Sequence, residues 1–564
     1  METKKHIQPI KMKNVLLLLT FTLITQYSKA QDYFKPIDSI VKLYEGKNMP
    51  GFAVLVSKNG KTLYSRNAGY ANLEKKEKIT DKTVFTLAST SKQFTAACIV
   101  LLQQQGKLSL DDNLKKYIPE FPEYAQRITI NQLLNHTAGL KDYRALAMLR
   151  GENADHYTST AIKDLLILQE LNYEPGEKWN YSNSGYWCLA QIVEKVSGQT
   201  IAAFAEENIF RPLGMKATRY VIKPHNKVKN KAVGYQNDGT TYHPTDVDEF
   251  AVGGAGVYST AKDLQKWLTE MESHRVFGTT FWNTMLSENP AKGKNFTYTK
   301  GLFHFKYAGH NMINHGGDVV GFHPITAYFP KEKIAVVILG NDDDFERYAI
   351  LGAAVDLLLG DQYDYPKAEN NIVAKPDEAK PISIDLSLLE SYTGNYELTP
   401  GYIITITHED GKLRLTQLWD ETSLFVAPSK EANHFEIAGV RLIFNDFSMG
   451  KTAQLRIVTS DEDSIYKRLD KDPDFTLYDQ YVGSFYCKAL KTSIRFFTEK
   501  GILRYKLENN QPYLASPPNN EGVFSTSHGK ISFKKDALGN ITGFLLNHER
   551  AMNMEFLKQE INKV

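Results

Sequence analysis

Cysteine is scarce in this sequence, with three residues in 564, too few and too scattered for a disulfide framework or a cysteine-based zinc site. An excess of one charge is also missing, because 67 Lys and Arg balance 65 Asp and Glu to a net charge of +2, which argues against a nucleic-acid binder. After the N-terminal region no apolar run reaches the roughly 20 residues that cross a bilayer. Hydrophobic residues make up 42 % and charged residues 23 %, so globular cores are expected and wholesale disorder is excluded. The length predicts about three domains.

The first 30 residues have the pattern of a secretory signal. Four lysines between positions 4 and 13 precede an uncharged run from Val15 to Ile24. Ser28 and Ala30 are small residues at the two positions that a signal peptidase reads. We therefore predict a signal peptide over 1–30, cleaved after Ala30, and a periplasmic or secreted protein. A membrane anchor is the alternative, but ten uncharged residues are too few to span a bilayer.

The region that follows alternates strand and helix signals. Gly51–Asn72 reads as a β-hairpin, because Asn59-Gly60 lies between two alternating runs. An apolar strand is predicted again at Ile334–Leu339. Helical periodicity is found at Lys92–Gln105, Ile130–Asn135, Tyr186–Val196, Ala261–Met271 and Tyr348–Leu359. Strands at both ends with helices between them predict an α/β domain over residues 31–360.

Residues 361–385 change character. Pro366, Pro376 and Pro381 occur there among charged residues, without apolar periodicity. This composition is typical of an exposed linker.

Beyond the linker the chain repeats itself. Tyr392-Thr-Gly394 recurs as Tyr481-Val-Gly483, and four further aromatic, Gly or Pro pairs keep the same offset. Each copy has period-2 stretches broken by turn signals, enough for about eight short strands. We predict two small antiparallel β-barrels, over 386–474 and 475–564. One two-sheet sandwich spanning both copies is the alternative.

Ser89-x-x-Lys92 is the first candidate catalytic element. The S-x-x-K spacing occurs seven times, so context has to select this match. Ser89 follows a short apolar stretch and precedes a helical pattern, which puts Lys92 on the same helix face one turn later. A serine hydroxyl becomes a useful nucleophile only when a neighbouring base removes its proton, and a desolvated lysine suits that role.

Tyr181 and Asn183 form the second element, in a loop that leads into a helix. A phenol beside an ammonium group can ionise below its usual pKa of about 10 and shuttle a proton. The amide of Asn183 is expected to hold a substrate carbonyl. Buried-aromatic and helix-cap roles remain the structural alternatives for these two residues.

His315-Gly316-Gly317 is the third element and the only H-x-G in the chain. Its glycines allow close approach of a substrate backbone. We expect the next amide, at Asp318, to act with the amide of Ser89 as an oxyanion hole. A purely structural turn histidine is the alternative.

These three motifs, in this order, resemble the active-site motifs of the serine β-lactamase and penicillin-binding superfamily. The likeness is strongest to the class C-related branch of D-alanyl-D-alanine carboxypeptidases, D-aminopeptidases and esterases (peptidase S12-like), and it covers roughly residues 33–359. It implies an α/β (α+β) β-lactamase-like domain with an antiparallel sheet flanked by helices. The two barrels resemble the lipocalin-like domains attached to some members of the branch. Three further segments match: 106–112, 134–140 and 253–260.

Together with the signal pattern of the first 30 residues, the resemblance implies an exported serine hydrolase that works through an acyl-enzyme on peptide, amide or ester bonds, with D-residue-containing peptides as the expected substrates. Ser89, Lys92 and Tyr181 would be catalytic, and Asn183, His315, Gly317 and Asp318 would bind the substrate. His315 replaces the lysine of many β-lactamases, which disfavours strong β-lactamase activity.

No metal or organic cofactor is expected, and the expected partner is a small-molecule or peptide substrate, with no nucleic acid and no membrane span. The oligomeric state stays open. An esterase or weak β-lactamase with the same nucleophile, and a catalytically silent ligand-binding receptor, are the alternatives.

Overall fold

A computed structural model describes residues 35–45, 47–222, 228–245, 252–286, 293, 295–359, 386–398, 402–418, 422–437, 440–448, 450–459, 463–471, 476, 478–499, 502–508, 510–516, 518–519 and 521–559. The predicted signal peptide, the predicted linker and the boundary at 474/475 lie outside these residues. By their contacts, the described residues of 1–140, 155–167 and 173–364 form one unit, and those of 141–154, 168–172 and 365–564 form a second.

Local signals account for the ends of several helices. Thr129 and Gln132 form a capping box at the start of the helix Ile130–Leu134, and Gly198 ends the helix Asn183–Ser197 with φ +71°. None of the helices in the described ranges is long and apolar enough to cross a membrane. The helices are α1 Lys35–Tyr44, α2 Lys92–Gln104, α3 Leu114–Tyr117, α4 Ile130–Leu134, α5 Tyr143–Leu149, α6 Ser159–Leu166, α7 Asn183–Ser197, α8 Ile201–Ala205, α9 Ala261–Ser273, α10 Gly278–Met285, α11 Arg347–Leu359 and α12 Leu386–Tyr392.

The first unit is built on a seven-stranded antiparallel sheet in the order β10-β11-β12-β13-β14-β1-β2. The predicted hairpin is confirmed: β1 and β2 are joined at Asn59 and Gly60, whose φ values of 51° and 69° suit a tight turn. The strands of this unit are β1 Phe52–Lys58, β2 Lys61–Ala68, β3 Tyr70–Asn72, β4 Glu77–Lys78, β5 Phe85–Thr86, β6 Arg219–Tyr220, β7 Gly234–Asn237, β8 Tyr242–Thr245, β9 Val257–Ser259, β10 Phe296–Thr299, β11 Leu302–Tyr307, β12 His310–Gly316, β13 Ile325–Phe329 and β14 Ile334–Gly340.

Helices flank this sheet as predicted. Helices α1 and α11 pack with alternate residues of β1, β13 and β14 into one apolar core that includes Phe52, Ile338 and Val355. The central helix α2 has only three partly exposed or exposed positions and packs against α7 and α10. An apolar helix of this kind is stable only inside a domain. Its first residue, Lys92, is therefore held rigidly.

The second unit contains two eight-stranded antiparallel arrays, which confirms the predicted pair of barrels; the alternative of a single sandwich is wrong. The first array is a closed barrel of strands β15 to β22. The second is an eight-stranded sheet in the order β26-β25-β24-β23-β30-β29-β28-β27. A single bridge between Ala515 and Thr526 joins its two ends. The strands are β15 Gly394–Glu397, β16 Ile403–Glu409, β17 Lys412–Gln417, β18 Ser423–Pro428, β19 His434–Ile437, β20 Val440–Ser448, β21 Lys451–Val458, β22 Asp463–Arg468, β23 Gly483–Cys487, β24 Thr492–Glu499, β25 Ile502–Leu507, β26 Tyr513–Leu514, β27 Val523–Thr526, β28 Gly529–Lys535, β29 Ile541–His548 and β30 Ala551–Lys558.

The sequence repeat has a structural reason. Gly394 and Gly483 open the first strand of each array, and a Cβ on either would press on a basic side chain of the last strand, 2.2 Å from Arg468 Nη1 and 3.1 Å from Lys558 Cε. The repeated apolar positions lie in the cores, where Leu455 and its counterpart 89 residues later are fully buried.

Two short segments of the predicted hydrolase domain, 141–154 and 168–172, belong to the second unit. Lys141 Nζ donates to Asn172 Oδ1 (3.1 Å) and to the carbonyl of Met552. Asn172 also accepts from the amide of Met552 (2.8 Å), and Gln169 donates to the carbonyl of Ala489 (2.8 Å). The two acceptors, Asn172 Oδ1 and the carbonyl of Met552, replace water around Lys141, which is 4 % exposed.

Candidate active site

Ser89 lies where a strained turn enters a buried helix. It belongs to a 3₁₀ turn, Ala88–Ser91, that runs directly into α2. Ala88 has φ +42°, a conformation that residues other than glycine rarely adopt. Strand β9 fixes the turn, because Leu87 N donates to Val257 O (2.8 Å). Such strain is found at sites where the backbone has to aim one side chain, and here the partly exposed residue is Ser89.

Lys92 is the centre of a buried hydrogen-bond cluster. Its Nζ lies 3.2 Å from Ser89 Oγ, 2.9 Å from Asn183 Oδ1 and 2.8 Å from the carbonyl oxygen of Gly254. The side chain is 0 % exposed. The carbonyl and amide oxygens can only accept, so Lys92 donates to both. The third hydrogen-bonding position of Nζ is then directed at the hydroxyl of Ser89.

The glycine-rich segment from Gly253 to Gly256 provides one wall of this cluster, a role that the sequence analysis did not assign. A Cβ on Gly254 would lie 3.2 Å from Asn183 Oδ1 and 3.3 Å from Lys92 Nζ. Thr95 on α2 holds the segment by donating to the carbonyl of Gly253 (2.7 Å). The run of glycines was the available signal, since only glycine lets backbone approach buried side chains so closely.

Tyr181 is held beside Lys92 by the loop that contains His136. Lys92 Nζ lies 4.7 Å from the centre of the Tyr181 ring, and the centres of the His136 and Tyr181 rings are 4.3 Å apart. His136 also accepts at Nδ1 from the amide of Ser182 (3.2 Å), and its carbonyl accepts from the amide of Asn180 (2.9 Å). His136 therefore orients the segment that carries both residues of the second motif.

His315 on β12 is a buried, neutral histidine. It is 2 % exposed, and its Nδ1 lies 2.6 Å from the carbonyl oxygen of Gly316, so Nδ1 carries the proton. Nε2 then accepts from the hydroxyl of Tyr298 (3.1 Å). Burial, with the positive charge of Lys92 as the second cause, lowers the pKa of His315 to about 3. The geometry therefore does not favour the expected direct contact with a substrate; the imidazole supports Tyr298 and the aromatic packing around Tyr181.

Gly317 and Asp318 bring the third motif against the first. A Cβ on Gly317 would lie 2.4 Å from the carbonyl oxygen of Leu87 and 3.0 Å from the amide nitrogen of Ser89. Among the described residues, the backbone hydrogen bonds of turns, loops and caps include none donated by the amide of Ser89 or of Asp318. The two amides belong to touching segments, as an oxyanion hole requires. The carboxylate of Asp318 is bound by Arg347 and His323.

The structure thus collects all seven predicted site residues in the first unit. Within the described ranges, no group of three or more His, Cys, Asp or Glu side chains is arranged to hold a metal ion. The three cysteines are buried and unbonded to one another.

Comparison with known proteins places this arrangement in a family. A family profile described as Beta-lactamase matches residues 37–361. Penicillin-binding protein 4* of Bacillus subtilis (strain 168) is 28 % identical over 442 residues, which is 72 % of this chain and 92 % of that protein. Protein flp of Staphylococcus aureus (strain MW2) is 27 % identical over 333 residues, 55 % of this chain and 63 % of that protein.

Solved structures agree with the fold. The octameric penicillin-binding protein homologue from Pyrococcus abyssi superposes with a TM-score of 0.54 at 22 % identity, covering 77 % of this chain and 99 % of that one. The D-amino acid amidase from Ochrobactrum anthropi SV3 gives 0.50 at 25 % identity, covering 58 % and 98 %.

The chain belongs to the β-lactamase family, and its fold and site define a serine hydrolase of the β-lactamase and penicillin-binding-protein type. The matched residues include most of the first unit and the segments 141–154 and 168–172 of the second, and the two arrays of strands follow them in the chain.

Proposed function

We propose that this protein is an exported serine hydrolase that cleaves amide, peptide or ester bonds through an acyl-enzyme, with D-residue peptides as its main substrates. The observation that supports this most is the buried cluster at Lys92, whose amine lies 3.2 Å from Ser89 Oγ. A base in contact with a serine at a turn is the requirement for nucleophilic catalysis.

Acylation follows from the contacts of Lys92. In its neutral form the amine donates its two N–H bonds to Asn183 and Gly254, so that its lone pair faces Ser89. Ser89 Oγ attacks the carbonyl carbon while its proton passes to the amine, with the phenol of Tyr181 sharing the transfer. The π electrons of the carbonyl move to its oxygen, and the collapse of this oxyanion expels the leaving amine or alcohol, which takes the proton.

The amides of Ser89 and Asp318 stabilise the oxyanion in this scheme. One such donor commonly contributes a factor of about 10²–10³ in kcat. Deacylation repeats the sequence with water: its oxygen attacks the acyl carbon, its proton passes to Lys92, and Ser89 leaves as the hydroxyl after it recovers that proton. Asn183 keeps the amine and the substrate in register.

The third motif supports a substrate without an essential carboxylate. A lysine there would attract a carboxylate 4 Å away by about 4 kcal/mol at an effective dielectric constant near 20. His315 is neutral and buried, so this attraction is missing. The structural similarity to a D-amino acid amidase supports amides of D-residues. Weak turnover of β-lactams is therefore expected.

A substrate panel tests the proposal. D-amino-acid amides, their L-enantiomers, D-Ala-D-Ala peptides, p-nitrophenyl esters and nitrocefin are compared for the wild type and Ser89→Ala. We expect D-amides or D-peptides to be preferred and Ser89→Ala to be inactive. Ser39→Ala is the matched control, because Ser39 also has a lysine three residues later on a helix but is exposed.

The other outcomes identify the alternatives. A preference for esters or for nitrocefin would favour the esterase or β-lactamase alternative. Full activity of Ser89→Ala would overturn the mechanism. A wild-type protein that is labelled by neither a fluorescent penicillin nor a fluorophosphonate would favour the ligand-binding receptor.

Export is part of the proposal and rests on the sequence of the first 30 residues. Expression in a Gram-negative host followed by fractionation and N-terminal sequencing tests it. A mature chain that begins at Gln31 in the periplasm or medium is expected, and an intact cytoplasmic chain would refute it.

A further inference from the structure

Arg347, the first residue of α11, is a buried cation next to the third motif. Its side chain is 9 % exposed. Nη1 donates to the carbonyl oxygen of Gly317 (3.1 Å) and to Asp318 Oδ1 (2.5 Å), and Nη2 donates to Asp318 Oδ2 (2.9 Å). The guanidinium therefore binds two consecutive residues, one through the backbone and one through the side chain.

The backbone contact controls the direction of one particular amide. The carbonyl of Gly317 and the N–H of Asp318 belong to the same peptide group. In a planar trans peptide these two bonds point in opposite directions. A donor that holds the oxygen on one side consequently aims the N–H to the other side. Gly317 also packs against the turn that carries Ser89.

This peptide needs such a restraint. Gly317 has no side chain, so its backbone can rotate more freely than that of other residues. The amide of Gly317 is bound to the carbonyl of Pro324 (2.9 Å), which fixes the preceding peptide but not the one that follows. A cation on the carbonyl also polarises the peptide and strengthens its N–H as a donor.

We propose that Arg347 is a positioning residue that orients the 317–318 peptide so that the Asp318 amide can stabilise the oxyanion. The inference rests on the proposed function, because it assumes an acyl-transfer reaction at Ser89. Arg347 acts through this peptide and makes no contact with the reacting atoms.

His323 supports the same arrangement. His323 Nδ1 lies 2.7 Å from Asp318 Oδ1, and His323 Nε2 lies 2.9 Å from the carbonyl oxygen of Asp343. Asp318 Oδ1 therefore lies within hydrogen-bond distance of both His323 Nδ1 and Arg347 Nη1. Arg347 thus binds the carboxylate of Asp318 and the carbonyl of Gly317 at the same time, and both contacts restrain the 317–318 peptide.

Arg347→Met tests the proposal on p-nitrophenyl ester or D-amide turnover, whichever is measurable for the wild type. We expect kcat to fall by about 10- to 100-fold with KM changed less than about threefold, because the loss concerns the transition state. The affinity for a boronic acid that forms a tetrahedral adduct at Ser89 should fall by the same factor. Arg347→Lys, which keeps a cation but only a single donor nitrogen, should recover part of the loss.

A purely structural role would give a different pattern. Thermal unfolding of both variants and of Arg66→Met, a control at an arginine whose side chain is 53 % exposed, reports on the fold. If Arg347→Met is not folded, Arg347→Lys and Asp318→Asn test the proposal instead. Each weakens the contact between the two side chains and keeps the backbone amide, so each should lower kcat and the boronate affinity together. A rise in KM alone, or boronate affinity that stays at the wild-type value, would overturn the proposal.

Labelling of Ser89 separates this failure from a failure of the proposed function. The rate of fluorophosphonate labelling needs no knowledge of the natural substrate. If the wild type is not labelled, the serine-hydrolase mechanism itself fails. If the wild type is labelled and Arg347→Met reacts equally fast, the mechanism stands and the role of Arg347 is refuted.

Discussion

The buried imidazole of His315 should make the first unit sensitive to acid in a measurable way. Its pKa is about 3 in the fold against an ordinary value of 6.5, with burial as the main cause. The unfolded chain therefore binds one more proton between these two pH values, and stability falls as the pH drops below 6.5. One pH unit corresponds to about 1.36 kcal/mol, so His315 should remove about 2–3 kcal/mol between pH 7.5 and 4.5.

The comparison with His315→Gln isolates this contribution, because glutamine does not titrate and the other groups cancel in the difference. Guanidinium chloride unfolding is followed by tryptophan fluorescence at four pH values from 7.5 to 4.5. Four of the five tryptophans lie between residues 179 and 282, in the first unit, so the signal reports mainly on that unit. The free energy of unfolding of the wild type should lose about 2–3 kcal/mol relative to the variant.

A difference that stays constant within about 0.5 kcal/mol over this range would contradict a lowered pKa of His315 in the folded protein. It would mean that the imidazole binds its proton as readily in the folded protein as in the unfolded chain. The third motif would then carry a positive charge below pH 6.5, and the expected discrimination against carboxylate-dependent substrates would not hold.

Three further predictions concern other parts of the chain. Gly254→Ala places a methyl group 3.2–3.3 Å from the amide oxygen and the amine of the catalytic cluster, and we expect kcat to fall at least about tenfold with an unchanged circular dichroism spectrum. The pKa of His323 is raised, because hydrogen bonding and charge from Asp318 outweigh burial, so its stabilising effect is present below pH 6.5 and is lost as the pH rises through the raised pKa; the melting temperature of the wild type relative to His323→Gln should fall from pH 6 to 9. Phe544→Ala removes a fully buried ring of the second array and should cost about 3–5 kcal/mol in that array's unfolding.

Each of these predictions has a control or a contrary result. Full activity of Gly254→Ala would show that the wall of the cluster tolerates a larger residue. A melting-temperature difference for His323→Gln that grows at alkaline pH would reverse the sign argued from its contact with Asp318. Leu538→Ala is the control for Phe544→Ala, because Leu538 is 87 % exposed and its loss should change stability by less than about 0.5 kcal/mol.

Local patterns predicted much of the fold because they act over a few residues. The turn at Asn59-Gly60, the start of α2 at Lys92 and the strand at Ile334 all lie where their signals indicate. The repeat at an offset of 89 residues predicted two arrays, since equal spacing of turns and apolar residues produces equal strands. Segments 141–154 and 168–172 carried no signal for joining the second unit, because their hydrogen bonds are to backbone groups far along the chain.

The lysine one helical turn after Ser89 could be placed from the sequence, since that distance follows from helix geometry alone. Six other serines satisfy the same spacing. Sequence context favoured Ser89, and the fold adds the contacts that distinguish it, because Lys92 is buried against Asn183 and Gly254, which lie 91 and 162 residues further along the chain. Burial also decided that His315 is neutral, because a pKa depends on the dielectric surroundings and nearby charges that folding creates. Contacts between distant segments have no signature in local periodicity, so the orientation of the Asp318 amide by Arg347 emerged only from the folded chain.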